Sequence, residues 1–544
     1  MARDGCEAAA VLPPDELFPI DRSIHHEGLE TMRIFFHKKF TNTPDIFIII
    51  FLLVLTLSVR FPYWFPVVLD WDESTFILMG QSLLDGKLLY RDLWDDKPPL
   101  AFVSYALSIK LFGKSIIAVR LAGALCVLLS AVLTYYIGRK LFNKVSATLA
   151  AAIFILAASL LHSGQTTLTE HIALVPLLGS IFILLGRSLS PRLMLALGVL
   201  VSAAALVRLN LAFLAFVIGA IVVFHPNHKT VIARIKATAA YAVGGLGVVV
   251  LTAIPYLMAG EGDLWWTSLF VAPLAYADVM SPIGSFTRLT GGYIKPGKPT
   301  FLFSSLLLVL SLGSMVWAVY RMATKGSDHG QQTAIVIIVT IGIAISLLKG
   351  GAQSHYLLQL APFLSLFAAV AVEKSLCSRF FVPAALVLLA VVALALRPAY
   401  RHYQVLATRA AAGEAFSYGS AYQVADYVES LRLSNYTIFL MSDHIVYWLL
   451  DKQPPTRIAH PSVLFKPNVL RVVIGPEATP KTEIAAIFDQ APTIVVKMEN
   501  PGYMRNFPDE RQYIEQRLEN YDLVQVIKNL RIYLIRDTPP DGSD

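Results

Sequence analysis

Long apolar segments recur along most of the chain and restrict the fold it can adopt. An α-helix rises 1.5 Å per residue, so about 20 apolar residues span the ~30 Å hydrocarbon core of a bilayer. A chain of 544 residues that is 56% hydrophobic and only 15% charged has more apolar surface than one soluble core can bury. The sequence therefore predicts a polytopic α-helical membrane protein with about eleven transmembrane helices. The apolar runs, several of which need flanking residues to reach that length, are 46–59, 116–137, 145–161, 172–185, 193–207, 209–224, 237–258, 301–320, 334–348, 356–372 and 380–396.

The distribution of Lys and Arg predicts the orientation, because cytoplasmic loops retain positive charge. The opposite loops are poor in both residues, so the N-terminus is expected in the cytoplasm and, with an odd number of spans, the C-terminus outside. The first forty or so residues do not resemble a cleaved signal peptide, so the first run is expected to be an uncleaved anchor. The basic residues fall in alternate loops, at Arg33, Lys38, Lys39; Arg139, Lys140, Lys144; Arg187, Arg192; Lys229, Arg234, Lys236; Arg321, Lys325; Lys374 and Arg379.

Three regions follow from this topology. We expect a cytoplasmic tail at 1–44, a transmembrane domain at 45–396 whose first outer loop is 61–115, and an extracytoplasmic domain at 397–544. The last region contains an amphipathic helical stretch and short strand-like runs, which predict a small soluble α/β domain. The helical stretch is 424–431 and the strand-like runs are 438–441, 494–496, 523–527 and 532–535.

The formal charge of +7 does not indicate a nucleic-acid partner, because the basic residues lie in short loops between apolar runs rather than on one exposed face. Topology and phospholipid contact explain them better. Cys6, Cys126 and Cys377 have neither paired nor metal-ligand spacing. Neither a disulfide framework nor a zinc site is predicted.

The first outer loop opens with the acidic sequence Asp70-Trp71-Asp72-Glu73. Asp72 or Glu73 suits a general base, and a low-dielectric pocket at the bilayer surface would raise its pKa towards neutrality. An equally open interpretation is that these acids cap helices or form ion pairs. The Asp70-Trp71-Asp72 spacing also permits a divalent cation, which we treat as the minor alternative.

The same loop ends with Asp95-Asp96-Lys97-Pro98-Pro99. The prolines stiffen the chain beside Lys97, so its ammonium has a defined direction and offers a point charge to a lipid phosphate. They also mark the start of a helix predicted over 100–112.

Two further charged residues are expected at the outer ends of spans. Glu170 follows a short loop that lacks Lys and Arg, and Arg208 interrupts apolar sequence two residues before Asn210. Ionisable groups at such positions are costly and are candidates for function. The alternatives are a helix-capping acid for Glu170 and an interfacial anchor for Arg208. A third polar cluster, with His355, lies at the outer end of a later span.

Together these segments resemble the bacterial branch of the C-type (GT-C) glycosyltransferase superfamily. The branch itself is similar to protein O-mannosyltransferases and to the aminoarabinose transferase that modifies lipid A. The resemblance rests on Asp72-Glu73, on 83–100 with its Trp94-Asp95-Asp96-Lys97-Pro98-Pro99 ending, and on His355-Tyr356 with Gln359 and Pro362.

The resemblance implies a role for each matching residue. It places the catalytic base on Asp72, with Glu73 beside it, and a second acid on Glu170. It implies that Lys97 contacts the lipid phosphate, and Arg208 is expected to help balance the charge of that phosphate. Asp96 stands where bacterial relatives often have His. Substrate contacts are expected from Asp95, Asp96, His355, Tyr356 and Gln359.

The implied reaction is a single, inverting displacement in a bacterial plasma membrane. A polyprenyl-phosphate sugar is the donor, and the acceptor is a hydroxyl of lipopolysaccharide or another glycolipid, a polysaccharide or a protein. No cofactor is chemically required, and a divalent cation is left open. The alternatives are a transporter or flippase for lipid-linked saccharides and a polysaccharide polymerase or ligase. Acids that cluster at the outer loop ends rather than at mid-span favour the transferase.

Overall fold

Helices make up most of the chain, and a small sheet follows them. The computed structural model describes residues 42–161, 163–186, 189–228, 230–276, 282–293, 297–325, 329–348 and 353–536. Most of the expected tail 1–44 lies outside the described residues, and so do residues 349–352 at the start of the polar segment 349–362, called here the His355 segment. The helices up to the sheet domain are α1 Asp45–Arg60, α2 Trp71–Leu84, α3 Pro99–Phe112, α4 Ile116–Leu141, α5 Lys144–Leu160, α6 Thr169–Leu184, α7 Pro191–Val207, α8 Ala212–Phe224, α9 Val231–Met258, α10 Gly262–Trp266, α11 Ala272–Tyr276, α12 Pro282–Tyr293, α13 Phe301–Lys325, α14 Gly330–Leu347, α15 Ala361–Leu376 and α16 Phe381–Ala411.

The predicted membrane architecture is confirmed. Among the described residues, seven helices are long and apolar enough to cross a membrane, and five shorter apolar helices accompany them. Each of the eleven apolar runs lies on one of these twelve helices. The remaining helix is α3, which lies within the predicted first outer loop. The helix predicted after Pro98 is present, and Pro99 occupies its first turn, where a missing N–H costs nothing.

Small residues let neighbouring helices approach closely. A Cβ added to Gly198 on α7 would lie 2.0 Å from the carbonyl oxygen of Tyr241 on α9. One added to Gly244 would lie 2.2 Å from the carbonyl oxygen of Leu195. Backbones in contact gain dispersion energy that lipid tails cannot supply, which is how membrane helices commonly associate.

Two buried arginines connect the loops at one end of the helices. Arg60 at the end of α1 donates to the carbonyl oxygens of Gly164 at 2.6 Å and Thr166 at 2.9 Å. Arg120 in the second turn of α4 donates to the carbonyl oxygen of Tyr63 at 2.7 Å and pairs with Glu73 of α2. The 61–115 segment, called here the first loop, is thereby held against the helix ends.

The sheet domain, residues 420–535, has the α/β composition expected from its strand-like runs. Its strand order is β1-β2-β4-β3; β1 and β2 are parallel, and the other neighbouring pairs are antiparallel. Its elements are α17 Ser420–Ser430, β1 Ile438–Leu440, α18 Val446–Leu449, a 3-10 turn Pro461–Phe465, α19 Pro467–Val473, α20 Pro480–Asp489, β2 Ile494–Met498, α21 Pro508–Leu518, β3 Tyr521–Ile527 and β4 Leu530–Ile535.

The sheet domain docks on the first loop through backbone contacts. Trp94 donates its N–H to the carbonyl oxygen of Arg457 at 2.6 Å, and the N–H of Ala459 donates to the carbonyl oxygen of Trp94 at 3.0 Å. A side-chain contact adds to this, since Thr75 Oγ1 lies 2.8 Å from His444 Nε2. This parallel bridge places residue 460 beside the Asp-Asp-Lys sequence that follows Trp94.

Candidate active site

A cavity of about 730 Å³ lies where the first loop, the His355 segment and the sheet domain meet. We call it the junction cavity. Its wall is mainly polar and carries charges of both signs, which suits a ligand that combines hydroxyl and phosphate groups. Its lining includes Asp70, Asp72, Asp95, Asp96, Lys97, Arg288, His355, Tyr356, His460, Ser462, Lys466, Tyr503 and Phe507.

Helix α2 directs Asp72 into this cavity. Asp70 caps the helix, since its Oδ1 accepts from the N–H of Asp72 at 2.9 Å. The carboxylate of Asp72 lies between two imidazoles: His460 Nε2 is 3.7 Å from Oδ1, and His355 Nε2 is 3.8 Å from Oδ2. Helix capping, the alternative considered for these acids, therefore applies to Asp70, while Asp72 faces the cavity.

The expected rise in the pKa of Asp72 is wrong. Burial does raise it, but the positive charge of Lys97, the contacts with His355 and His460, and the charge of Arg208 outweigh burial and lower the pKa to about 2. Asp72 is thus a carboxylate at neutral pH. The expectation considered only the low dielectric and not the cations that tertiary structure brings to the site.

Glu73 occupies a different environment from its neighbour. Its side chain is 2% exposed and 2.7 Å from Arg120 Nη2, and its Oε1 accepts from the N–H of Thr167 at 2.7 Å. Arg120 was not identified from the sequence, although a charge inside the 116–137 apolar run was a usable signal. These contacts indicate a structural ion pair that connects α2, α4 and the 163–168 turn.

Lys97 is held at the start of α3. The hydroxyl of Tyr90 donates to its carbonyl oxygen at 2.7 Å, and its Nζ is 2.5 Å from Asp96 Oδ1 and 4.0 Å from Asp95 Oδ1. Burial, together with the carboxylates of Asp96 and Asp72, raises the pKa of Asp95 to about 8 despite Lys97. At neutral pH the Asp95 carboxyl is therefore protonated, and Asp96 is the carboxylate that pairs with Lys97.

Glu170 and Arg208 form a second buried ion pair, with Arg208 Nη2 2.7 Å from Glu170 Oε1. The guanidinium lies 3.9 Å from the ring centroid of Tyr356. His355 Nε2 is 3.8 Å from Glu170 Oε1 as well as from Asp72. His355 thus stands between two carboxylates, one of which is neutralised by Arg208.

The predicted site residues divide into two groups. Asp72, Asp95, Asp96, Lys97, His355 and Tyr356 line the junction cavity. In the part of the chain that the structure describes, four others lie outside its lining: Glu73, Glu170, Arg208 and Gln359. Gln359 Oε1 accepts from Asn210 Nδ2 at 2.9 Å, which connects the His355 segment to the turn after α7.

Sequence reasoning missed the wall that the sheet domain contributes. His460, Lys466 and Tyr503 line the cavity, but no local motif distinguishes them. The bridge at Trp94 brings them to the first loop, more than 360 residues earlier in the chain.

The described residues also bear on the metal alternative. Within them, no group of three His, Cys, Asp or Glu side chains is arranged to hold a metal ion. In the Asp70-Trp71-Asp72 sequence, one oxygen of Asp70 is engaged in capping α2.

The fold and the site define a polytopic membrane protein whose charged cavity lies between helix ends and a small sheet domain. Residues 96–258 match the family model described as dolichyl-phosphate-mannose-protein mannosyltransferase. Two crystal structures of ArnT from Cupriavidus metallidurans are similar with TM-scores of 0.55 and 14% identity. The structure bound to undecaprenyl phosphate covers 90% of this chain and 97% of that one, and the apo structure covers 88% and 97%.

The apo oligosaccharyltransferase of Archaeoglobus fulgidus is similar at 13% identity and a TM-score of 0.46, over 83% of this chain and 69% of that one. None of the curated proteins compared with the sequence matches it. The family match over residues 96–258 and the similarity of the fold to ArnT support the resemblance to the GT-C superfamily that the motifs in the first loop indicated.

Proposed function

We propose that the chain transfers a sugar from a polyprenyl-phosphate donor to an acceptor hydroxyl at the extracytoplasmic face of a bacterial plasma membrane. The observation that carries this proposal is that Asp72 and Lys97 line one cavity at the helix ends of a fold similar to that of ArnT. The description of the matched family and the undecaprenyl phosphate bound to ArnT support a lipid-phosphate donor.

Lys97 is the proposed contact for the donor phosphate. Its backbone is fixed by Tyr90 and by the proline that follows, so the ammonium is oriented before the donor arrives. Asp96 holds the ammonium in the free protein, and the donor phosphodiester, whose two non-bridging oxygens share one negative charge, competes with this carboxylate for it.

Asp72 is the proposed base. As the acceptor oxygen bonds to the anomeric carbon, the bond from that carbon to the phosphate oxygen breaks, and the hydroxyl proton passes to Asp72. A carboxylate of low pKa is a weak base, but the hydroxyl becomes strongly acidic once its oxygen begins to bond to carbon. One displacement inverts the anomeric configuration, and Lys97 balances the charge of the departing lipid phosphate.

The buried residues behind the cavity have supporting roles in this proposal. Arg208 neutralises Glu170 and packs on Tyr356, so it maintains the position of His355 beside Asp72. Glu73 and Arg120 maintain the position of α2. Arg208 therefore contributes its charge through space rather than as a direct ligand of the phosphate.

The proposal is tested by mass spectrometry of envelope glycolipids and glycoproteins from cells that lack the chain. The cells are complemented with wild type, with Asp72→Asn or with Asp489→Asn, a change in an exposed ion pair with Arg517. We expect a sugar-sized mass to disappear in the deletion and to return with wild type and Asp489→Asn only. An unchanged envelope, or full restoration by well-expressed Asp72→Asn, overturns the proposal.

A further inference from the structure

His460 has a defined proton position. It precedes the Pro461–Phe465 turn, and its Nδ1 accepts from the backbone N–H of Ser462 at 3.2 Å, with Ser462 Oγ at 2.9 Å. A backbone N–H can only donate, so Nδ1 carries a lone pair. The proton of the neutral ring is therefore on Nε2, the nitrogen that points towards Asp72.

The ring of His460 is also held by the helix that carries Asp72. Its centroid is 6.0 Å from that of Trp71 and 5.4 Å from that of His444, and His444 in turn contacts Thr75 of α2. The side chain is 12% exposed. The imidazole of the sheet domain and the carboxylate of α2 are thus fixed relative to each other.

The gap between them selects a particular chemical group. The 3.7 Å between His460 Nε2 and Asp72 Oδ1 is too long for a direct hydrogen bond, yet a third atom can lie within hydrogen-bond distance of both. The nitrogen can only donate and the carboxylate can only accept. The group that fits must accept on one side and donate on the other, which describes a hydroxyl.

We propose that His460 is a catalytic residue that binds the acceptor hydroxyl: its Nε2–H donates to the hydroxyl oxygen and directs the hydroxyl proton at Asp72. This inference rests on the proposed transferase function. During transfer His460 keeps its proton, the hydroxyl proton passes to Asp72, and the hydroxyl oxygen forms its bond to the anomeric carbon. The sheet domain is therefore part of the acceptor site.

Two replacements separate the donor of His460 from its capping role. His460→Asn places an amide oxygen where it can accept from Ser462 but has no donor towards Asp72. His460→Gln places an amide donor near the former Nε2 and loses the cap. Incorporation of Nε2-methylhistidine at position 460 keeps the ring and the cap and removes only the N–H, so it tests the proposal even if the other variants misfold.

The assay uses purified full-length protein, a radiolabelled polyprenyl-phosphate sugar, and the envelope fraction of deletion cells as acceptor. A hydrogen bond in a charged site is worth about 1.5–3 kcal/mol, so we expect kcat/KM for the acceptor to fall about 10- to 100-fold in His460→Asn and in the methylated protein. In His460→Gln, which keeps a donor, most of this decrease in kcat/KM for the acceptor is expected to be absent. KM for the donor should not change.

The matched control is His402→Gln, because His402 is a half-buried histidine bonded to the Tyr418 hydroxyl at 2.7 Å and does not belong to the cavity lining. It should transfer sugar at the wild-type rate. Three results would overturn the role of His460 and leave the proposed function standing. They are equal losses in His460→Asn and His460→Gln, unchanged activity in the methylated protein, or an effect on KM for the donor. Absence of transfer by wild type would overturn the proposed function as well.

Discussion

Asp72 and Glu73 are adjacent on α2 but face different surroundings. The Asp72 side chain is 29% exposed and lies 3.7–3.8 Å from two imidazoles, whereas Glu73 is 2% exposed and bonded at 2.7 Å to Arg120 and to a backbone N–H. A carboxylate whose oxygens are occupied by fixed donors cannot exchange partners with a substrate. The comparison separates a residue available for chemistry from one that maintains the loop.

The largest expected effect is on the exposed member of this pair. Asp72→Asn should lower the rate of transfer about 10²- to 10⁴-fold, the range for loss of a general base, while thermal unfolding stays within a few degrees of wild type. Initial rates and a melting curve on the same purified protein check both expectations. Retained transfer in folded Asp72→Asn would remove the distinction between the two acids.

Glu73→Gln should chiefly affect stability. It leaves the buried guanidinium of Arg120 without a counter-charge, which costs about 3 kcal/mol of unfolding free energy or more. Asp489→Asn is the control, since loss of an exposed pair changes stability by about 0.5 kcal/mol or less. Normal melting combined with abolished transfer in Glu73→Gln would instead give Glu73 a chemical role.

Lys97 extends the comparison to the donor side of the cavity. Lys97→Gln removes a charge-assisted contact to phosphate, and kcat/KM for the donor should fall about 10- to 100-fold. KM for the acceptor should stay the same, whereas the His460 variants are expected to lower kcat/KM for the acceptor. Rates measured with the donor and the acceptor varied in turn test whether Lys97 acts on the donor. An effect confined to the acceptor would contradict the assignment of Lys97 to the donor phosphate.

A further expected effect concerns pH. Because the pKa of Asp95 is raised to about 8 in the folded protein, mainly by burial, the folded state holds this proton more tightly than the unfolded chain does. Its contribution to stability therefore decreases as pH rises from the unfolded pKa near 4 towards 8 and levels off above that. The melting temperature of Asp95→Asn should differ less between pH 6 and pH 9 than that of wild type. An unchanged difference would exclude the Asp95 carboxyl as the source of the pH dependence.

Much of the architecture could be predicted because it depends on local pattern. The run 46–59 became α1 Asp45–Arg60, and the strand-like run 523–527 became the end of β3. Length and hydropathy determine such elements with little tertiary information. Their packing, such as the contact between Gly198 and α9, depends on shape and was not predictable from the sequence.

The site was predictable only where it is continuous in sequence. Asp72 and Lys97 lie in one loop with recognisable motifs, whereas His460 and Tyr503 reach them through the fold. The pKa of Asp72 was misjudged because its direction depends on Lys97, whose distance from Asp72 the motif does not give, and on His355, His460 and Arg208 from distant segments. A motif can identify a carboxylate, but its charge state depends on neighbours that the motif does not contain.

The backbone bridge between Trp94 and Ile458 has a consequence for synthesis of the protein. The acidic first loop is translated early, yet the cavity it lines is closed by residues as late as Phe507. Until the sheet domain has been made, the cavity lacks the His460 imidazole and the aromatic side chains of Tyr503 and Phe507. Under the proposed transferase function, a ribosome-bound chain is therefore expected to be inactive although its membrane helices are already inserted.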